Sequence, residues 1–205
     1  MRKYKFFIDF DKEEQWLNEM ARQGYTLTKK SIGYEFQQVP PTNTVIKMDY
    51  RTFKKQDDFE DYRALFEDFG WKHIAGTKSS GAQYFKSIDE NENQDIFSDA
   101  DSKASRYKRI SQMWISLASC FICLFAVLVS TDSIKVGALL NPKLLYFTPG
   151  LWEKTGSAFW NAFFFETPFV LFRGFFWLLI PMMITFYLIF AYKANKQYLK
   201  THEDK

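Results

Sequence analysis

Two stretches of this chain, residues 110–130 and 174–192, contain no charged side chain. Each is close to the ~20 residues that an α-helix needs to cross a bilayer, so both read as transmembrane helices. Ahead of them the pattern changes to short periods. Tyr4, Phe6 and Ile8 alternate as a first strand. Asp11 then offers an N-cap, with Glu13 and Glu14 in the first turn of a helix. Trp16, Leu17, Met20 and Ala21 form its apolar stripe, and Gly24 is placed to stop it. Residues 25–30 and 32–38 follow as strands, with Ile32, Tyr34 and Phe36 on one side. After Pro40, Pro41 and Asn43 a further strand puts Thr44, Ile46, Met48 and Tyr50 on one face. A second helix is capped by Asp57 or Asp58, carries Phe59, Tyr62, Leu65, Phe66 and Phe69 as its stripe, and ends at Gly70. Residues 71–75 and 83–88 close the pattern as a hairpin.

A repeat is visible in this half. Trp16, Met20, Gly24 and Tyr25 match Tyr62, Phe66, Gly70 and Trp71 at a constant offset of 46. Two units of strand, amphipathic helix, glycine, aromatic and strand predict an α+β fold. The expected form is a ferredoxin-like antiparallel sheet with two helices on one face, followed by the two transmembrane helices. The uncovered face would display Tyr84, Glu35, Gln37, Lys47 and Asp49. The expected divisions are a cytoplasmic domain at 1–90, a polar then basic linker at 91–109, spans at 110–130 and 174–192, an extracytoplasmic aromatic-rich loop at 131–173, and a cytoplasmic tail at 193–205.

Composition narrows the function classes. In 205 residues the net charge is only +3, and Asp57, Asp58, Glu60 and Asp61 offset the basic residues of the soluble half, so nucleic acid is not an expected partner. Aromatics make up 20% of the chain, which lets a small domain bury large areas with few residues. No secretory leader is expected at the start, where Arg2, Lys3, Lys5 and Asp9 interrupt the apolar residues. Lys103, Arg106, Lys108 and Arg109 precede the first span, and Lys193, Lys196 and Lys200 follow the second, which predicts both termini on the cytoplasmic side. Cys120 and Cys123 form a C-x-x-C inside the first span, where desolvation disfavours the thiolate that metal or redox chemistry requires.

Candidate chemistry is sparse. His73 and His202 are the two histidines, and no triad surrounds either. Gly76 and Gly81 flank a hairpin turn without phosphate-loop spacing. Residues 89–95 space oxygen side chains like a calcium loop, but Gln94 stands at the turn glycine and Ala100 at the bidentate glutamate, so a polar linker is expected instead. No catalytic, cofactor or metal residue is therefore assigned, and a non-enzyme is expected. The informative segment lies beyond. Ile96 and Phe97 in an acidic linker can dock on the domain or lie at the membrane, which makes Phe97, Asp99 and Lys103 candidates for interaction or coupling. Arg106, Lys108 and Arg109 are the candidate membrane-flanking basic residues. Trp16, Phe66 and Trp71 are assigned to folding. In the outer loop, residues 151–165 read as either an interfacial helix or a re-entrant segment, Arg173 can pair with Glu166, and Pro181 should kink the second span.

Lys5-Phe6-Phe7, Trp16-Leu17-Asn18-Glu19-Met20-Ala21 with Gly24-Tyr25, Asp49-Tyr50, Phe69-Gly70-Trp71, Tyr84-Phe85, and Ile96-Phe97-Ser98-Asp99 with Ser102-Lys103 together carry a resemblance. Over about residues 1–110 the chain resembles the bacterial domain-of-unknown-function family 2812. The resemblance implies a cytoplasmic domain of Gram-positive bacteria, commonly followed by membrane spans and encoded beside a PadR-type transcriptional regulator. It carries no activity or catalytic residue across. The expectation is a multi-pass protein of the bacterial cell membrane with a regulatory or adaptor role. Its partners would be membrane lipid and an unidentified protein, either a transcriptional regulator or a transporter, with self-association open. The alternative is an accessory subunit or small oligomeric pore in membrane transport.

Overall fold

In the computed structural model, residues 1–88 and 95–203 are described. They contain six strands, β1 (Arg2–Lys3), β2 (Tyr25–Lys30), β3 (Tyr34–Gln38), β4 (Ile46–Tyr50), β5 (Trp71–Ala75) and β6 (Ala82–Ser87). Four α-helices accompany them: α1 (Phe10–Arg22), α2 (Gln56–Asp68), α3 (Ala100–Ser130) and α4 (Gly156–Glu203). By contacts the chain divides into two compact units, one of residues 1–113 with 190–205 and one of residues 114–189.

The first unit is a mixed α/β domain. Its strands form two three-stranded antiparallel sheets, ordered β1-β3-β2 and β4-β6-β5, instead of the single sheet expected. Each sheet comes from one β-α-β-β unit, and the offset of 46 seen in the sequence recurs in the helix bounds, Phe10 to Gln56 and Arg22 to Asp68. It recurs in the ladder irregularities as well, which leave out Thr28 on β2 and Ile74 on β5. Gly24 and Gly70 end the two helices at φ +83° and +78°, a left-handed conformation that glycine adopts without a Cβ penalty. At Gly24 space also requires it, since a Cβ would lie 2.8 Å from the Val39 carbonyl oxygen.

Each sheet position follows from where its side chains can be buried. Phe10, Leu17 and Met20 of α1 pack with Leu27, Tyr34, Phe36, Ile46, Met48 and Tyr84. Phe59 and Tyr62 of α2 pack with Trp71 and Phe85, supported by Phe66 and Ile96. Tyr84 and Phe85 are neighbours on β6 and so point to opposite faces. The two helices therefore cover opposite faces of the second sheet, and Tyr84 and Asp49, expected on an open face, are 1% and 3% exposed. Other expectations shift by smaller amounts. The first strand is only Arg2–Lys3, leaving Tyr4 and Phe6 exposed. Asp9, not Asp11, caps α1 by accepting from the backbone N–H of Asp11 and Lys12. No side chain caps α2, whose N-cap is Lys55, and Leu65 and Phe69 lie on its outer side.

The second unit consists of the apolar lengths of α3 and α4 and the segment joining them, with 3-10 turns at Val136–Leu139, Pro142–Leu145 and Leu151–Glu153. Both helices are long and apolar enough to cross a membrane, and only 6% and 11% of their most apolar windows are buried, unlike the core helix of a soluble protein. Cys120 and Cys123 are free and exposed on α3. The region 151–165 is not a separate helix. After the short turn at Leu151–Glu153, α4 starts at Gly156 and its 48 residues continue through Pro168 and Pro181.

Candidate functional site

Of the residues that sequence reading assigned to a linker, 100–109 begin a helix that is bolted to the domain. Asp99 accepts from the Ser102 backbone N–H at 2.7 Å, which satisfies one of the free donors at the start of α3, and from the Ser102 hydroxyl at 3.1 Å. From there Ala104, Tyr107 and Ser111 are buried at three- and four-residue intervals, and Arg106 is buried beside Tyr107, so these residues trace one face of the helix.

That face closes two open ends of the domain. At the start of α1, the Phe10 backbone N–H donates to the Tyr107 hydroxyl at 3.0 Å, and the rings of these residues stack at 4.7 Å. At the outer edge of β4 an unpaired strand would leave donors and acceptors bare. Here Asn18 and Glu14 of α1 accept from the N–H groups of Ile46 and Met48, at 2.6 and 3.2 Å. Arg106 donates to the Met48 carbonyl at 2.9 Å, and Arg109 to the Tyr50 carbonyl at 2.5 Å. Side chains thus complete a ladder that no seventh strand provides.

Around Arg106 six charges alternate in a closed ring. Arg106 pairs with Glu14 at 2.5 Å and Asp11 at 2.7 Å. Lys103 links Asp11 at 3.7 Å to Asp95 at 3.0 Å. Lys47 links Asp95 at 3.7 Å back to Glu14 at 3.3 Å. One end is dry, with the side chains of Arg106 and Glu14 0% and 6% exposed, and the other is wet, with Asp11 at 42%. Burial opposes the charge on Asp95, but Lys47 and Lys103 outweigh it and hold that carboxyl below its ordinary range. The rings of Tyr107, Phe97 and Phe10 surround the Arg106 guanidinium at 5.2 to 5.4 Å.

Each sequence-predicted residue can now be placed. Phe97 covers Arg106, Lys103 is a ring member and Asp99 caps the helix, so all three meet where α3 joins the domain. Ile96 packs beside Phe66 on the α2 cluster, so it docks on the domain. Arg106, assigned to the membrane flank, has no exposed side-chain surface left for a headgroup. Arg109 is committed to Asp49 at 2.5 Å, and Lys108 alone of the three is exposed. Trp16 meets Tyr34 edge-on at 4.8 Å, Phe66 stacks on Phe85 at 4.2 Å, and Trp71 is buried. Asp11, Glu14, Lys47 and Tyr107 were missed. The signal available was the stripe Lys103, Arg106, Tyr107, Ile110, whose spacing marks a docked helical face.

A second buried polar group lies in the core. Glu13 accepts from the hydroxyls of both Tyr34 and Tyr84 at 2.6 Å. Burial raises its carboxyl above the ordinary glutamate value, and the two hydroxyls oppose that only in part. Burial and the facing Glu13 push both tyrosines far up, so they remain donors. His73 is half-buried against Phe59 and Phe85, with Nε2 3.0 Å from Gln83 Oε1, and burial lowers its pKa. Among the described residues no group of three or more His, Cys, Asp or Glu could hold a metal ion. The calcium-like spacing falls almost wholly on residues 89–94, which lie outside the described residues.

These features define a class: a mixed α/β domain joined through a charge-locked helix to long apolar helices. The chain belongs to the family described as "Protein of unknown function (DUF2812)", which matches residues 9–119. That match contains every member of the charge ring and the first twenty residues of α3. No curated protein and no solved structure matches the chain.

Proposed function

We propose that this is a non-enzymatic regulatory or adaptor protein of the bacterial cell membrane, with both termini cytoplasmic, whose domain binds a protein partner. The observation that carries the reading is the continuity of α3. One helix holds the charge ring at its first turns and the first apolar run in its remainder, and its 31 residues extend about 46 Å. A partner that shifts the domain would act on that helix directly. The docking face in this proposal is the outer side of α2. There Leu65 and Phe69 are 54% and 71% exposed beside a hollow of about 290 Å³ lined by Phe66, Trp71 and Ile96.

In-cell photo-crosslinking from residue 65 or 69 of the full chain, followed by mass spectrometry, tests this reading, with the PadR-type regulator as the first partner to seek. A specific protein adduct that disappears with Phe69→Asp is expected. Adducts to lipid or to the chain alone, or turnover of a small molecule by the purified protein, would overturn it.

A further inference from the structure

We propose that the groove between the N-terminal segment and the end of α4 holds the phosphate of an anionic phospholipid headgroup. The groove has a volume of about 790 Å³. Phe6, Asp9 and Lys12 line one wall; Lys193, Lys196 and Lys200 line the other, with Glu203 at its far end from the apolar run. The three α4 lysines recur at three- and four-residue spacing, so they share one helical face. Asp9 is already engaged by the start of α1 and approaches Lys12 at 3.9 Å. Among the described residues Lys193, Lys196 and Lys200 form no ion pair, and all three are exposed. This is the reverse of Arg106 and Arg109, which sequence assigned to headgroups and the fold consumes internally.

Position selects the ligand. The Ser111 hydroxyl donates to the Ala191 carbonyl at 3.0 Å, which sets the start of the first apolar run level with the end of the second. Lys193 follows at once. A headgroup layer is roughly 5–7 Å deep, and at 1.5 Å per residue Lys193 and Lys196 fall within it while Lys200 lies about one turn beyond. On the facing wall Phe6 is 68% exposed and meets Phe190 at 5.6 Å, so the groove has an aromatic lip on the apolar side and cations on the aqueous side. A lipid satisfies both at once, with acyl chain at the lip and phosphate among the lysines. An acidic peptide would satisfy only the second.

This inference rests on the membrane reading above, and the two fail differently. The full chain would be purified in detergent and its retained lipid measured by native mass spectrometry after exposure to phosphatidylglycerol, phosphatidylcholine or free glycerol phosphate. Retention of phosphatidylglycerol over phosphatidylcholine is expected. Retention should weaken about fivefold for each of Lys193→Gln, Lys196→Gln and Lys200→Gln, the factor that ~1 kcal/mol per lysine implies. The control Lys54→Gln with Lys55→Gln should change nothing. Equal retention of both lipids, undiminished retention by the triple variant, or displacement by free glycerol phosphate would overturn the proposal. Release of the chain from membranes by alkaline carbonate would instead overturn the membrane reading itself.

Discussion

Arg106 and Arg173 make the same kinds of bond in two different regions. In the first unit Arg106 is fully buried, paired with Glu14 and bonded to the Met48 carbonyl. In the second, Arg173 approaches Glu166 at 3.9 Å, donates to the Leu145 carbonyl and lies 3.7 Å over the Phe147 ring. Glu166 also accepts from the N–H groups of Phe147 and Thr148, at 2.5 and 2.9 Å. The apolar side chains around these clasps behave in opposite ways. In the first unit Phe85, Leu17 and Tyr34 are 0–1% exposed, whereas in the second Phe165, Leu171 and Phe172 are 74%, 68% and 68% exposed. The first unit carries its own apolar solvent in its core. The second leaves many of its large apolar side chains exposed, and its surface suits hydrocarbon. The same arginine chemistry thus fastens a helix to a packed domain in one place and a connecting segment to a helix in the other.

The largest effect should come from Arg106→Leu. Glu14 would be left buried without its cation, and removing one partner of a buried pair costs about 3–5 kcal/mol. Thermal unfolding of the full chain in detergent should show a lower midpoint for the first unit. Adding Glu14→Leu should recover part of the loss, because two apolar groups do not carry an orphaned charge. A single variant as stable as the parent would mean that the ring holds nothing together.

Next in size is a matched pair of aromatic deletions. Trp71 is 4% exposed, and Trp71→Ala should cost about 3 kcal/mol from the cavity it leaves. Phe165→Ala, at 74% exposure, should leave the unfolding midpoint unchanged within error. Equal losses would erase the contrast between the two regions. Glu166→Ala should follow at about 2 kcal/mol, since it strands two backbone donors. Its effect should be confined to the second unit, read as faster proteolysis in residues 145–155 with the first unit's unfolding unaltered.

How far the sequence could be read follows the same division. Both apolar runs, both domain helices and their glycine stops were legible, because 3.6-residue stripes and charge-free lengths are local properties. The repeat was legible too, since its offset is carried by the helix stop itself. What was not legible is which face of a strand meets which helix. β6 runs Gln83, Tyr84 and Phe85 in succession, and all three are buried, because helices cover both sides. Alternation then has no open face to report. Arg106 misled for a related reason: a basic residue before an apolar run fits the membrane-flank pattern, and its partners Asp11 and Glu14 lie over ninety residues earlier.

The smallest predicted effect concerns Glu13 and appears only as a dependence on pH. Its folded pKa is raised by burial above the ordinary 4.5. The folded chain therefore keeps a proton that the unfolded chain releases. Stability contributed by the protonated carboxyl is complete below the ordinary value and is lost as pH rises through the raised one, by at most about 1.4 kcal/mol per pH unit. A glutamine side chain in its place would accept from Tyr34 and Tyr84 without titrating. The stability of the Glu13→Gln variant relative to the parent should therefore climb across that window and level off above it. Asp95 does not blur the reading: its pKa is lowered from 3.8, so its contribution changes on the acid side of the Glu13 window. Unfolding of both proteins from about pH 4 to about pH 8 measures the difference directly. A difference that stays flat would mean that Glu13 takes up its proton over the same range folded and unfolded, with the two tyrosine hydroxyls and Lys30 offsetting its burial.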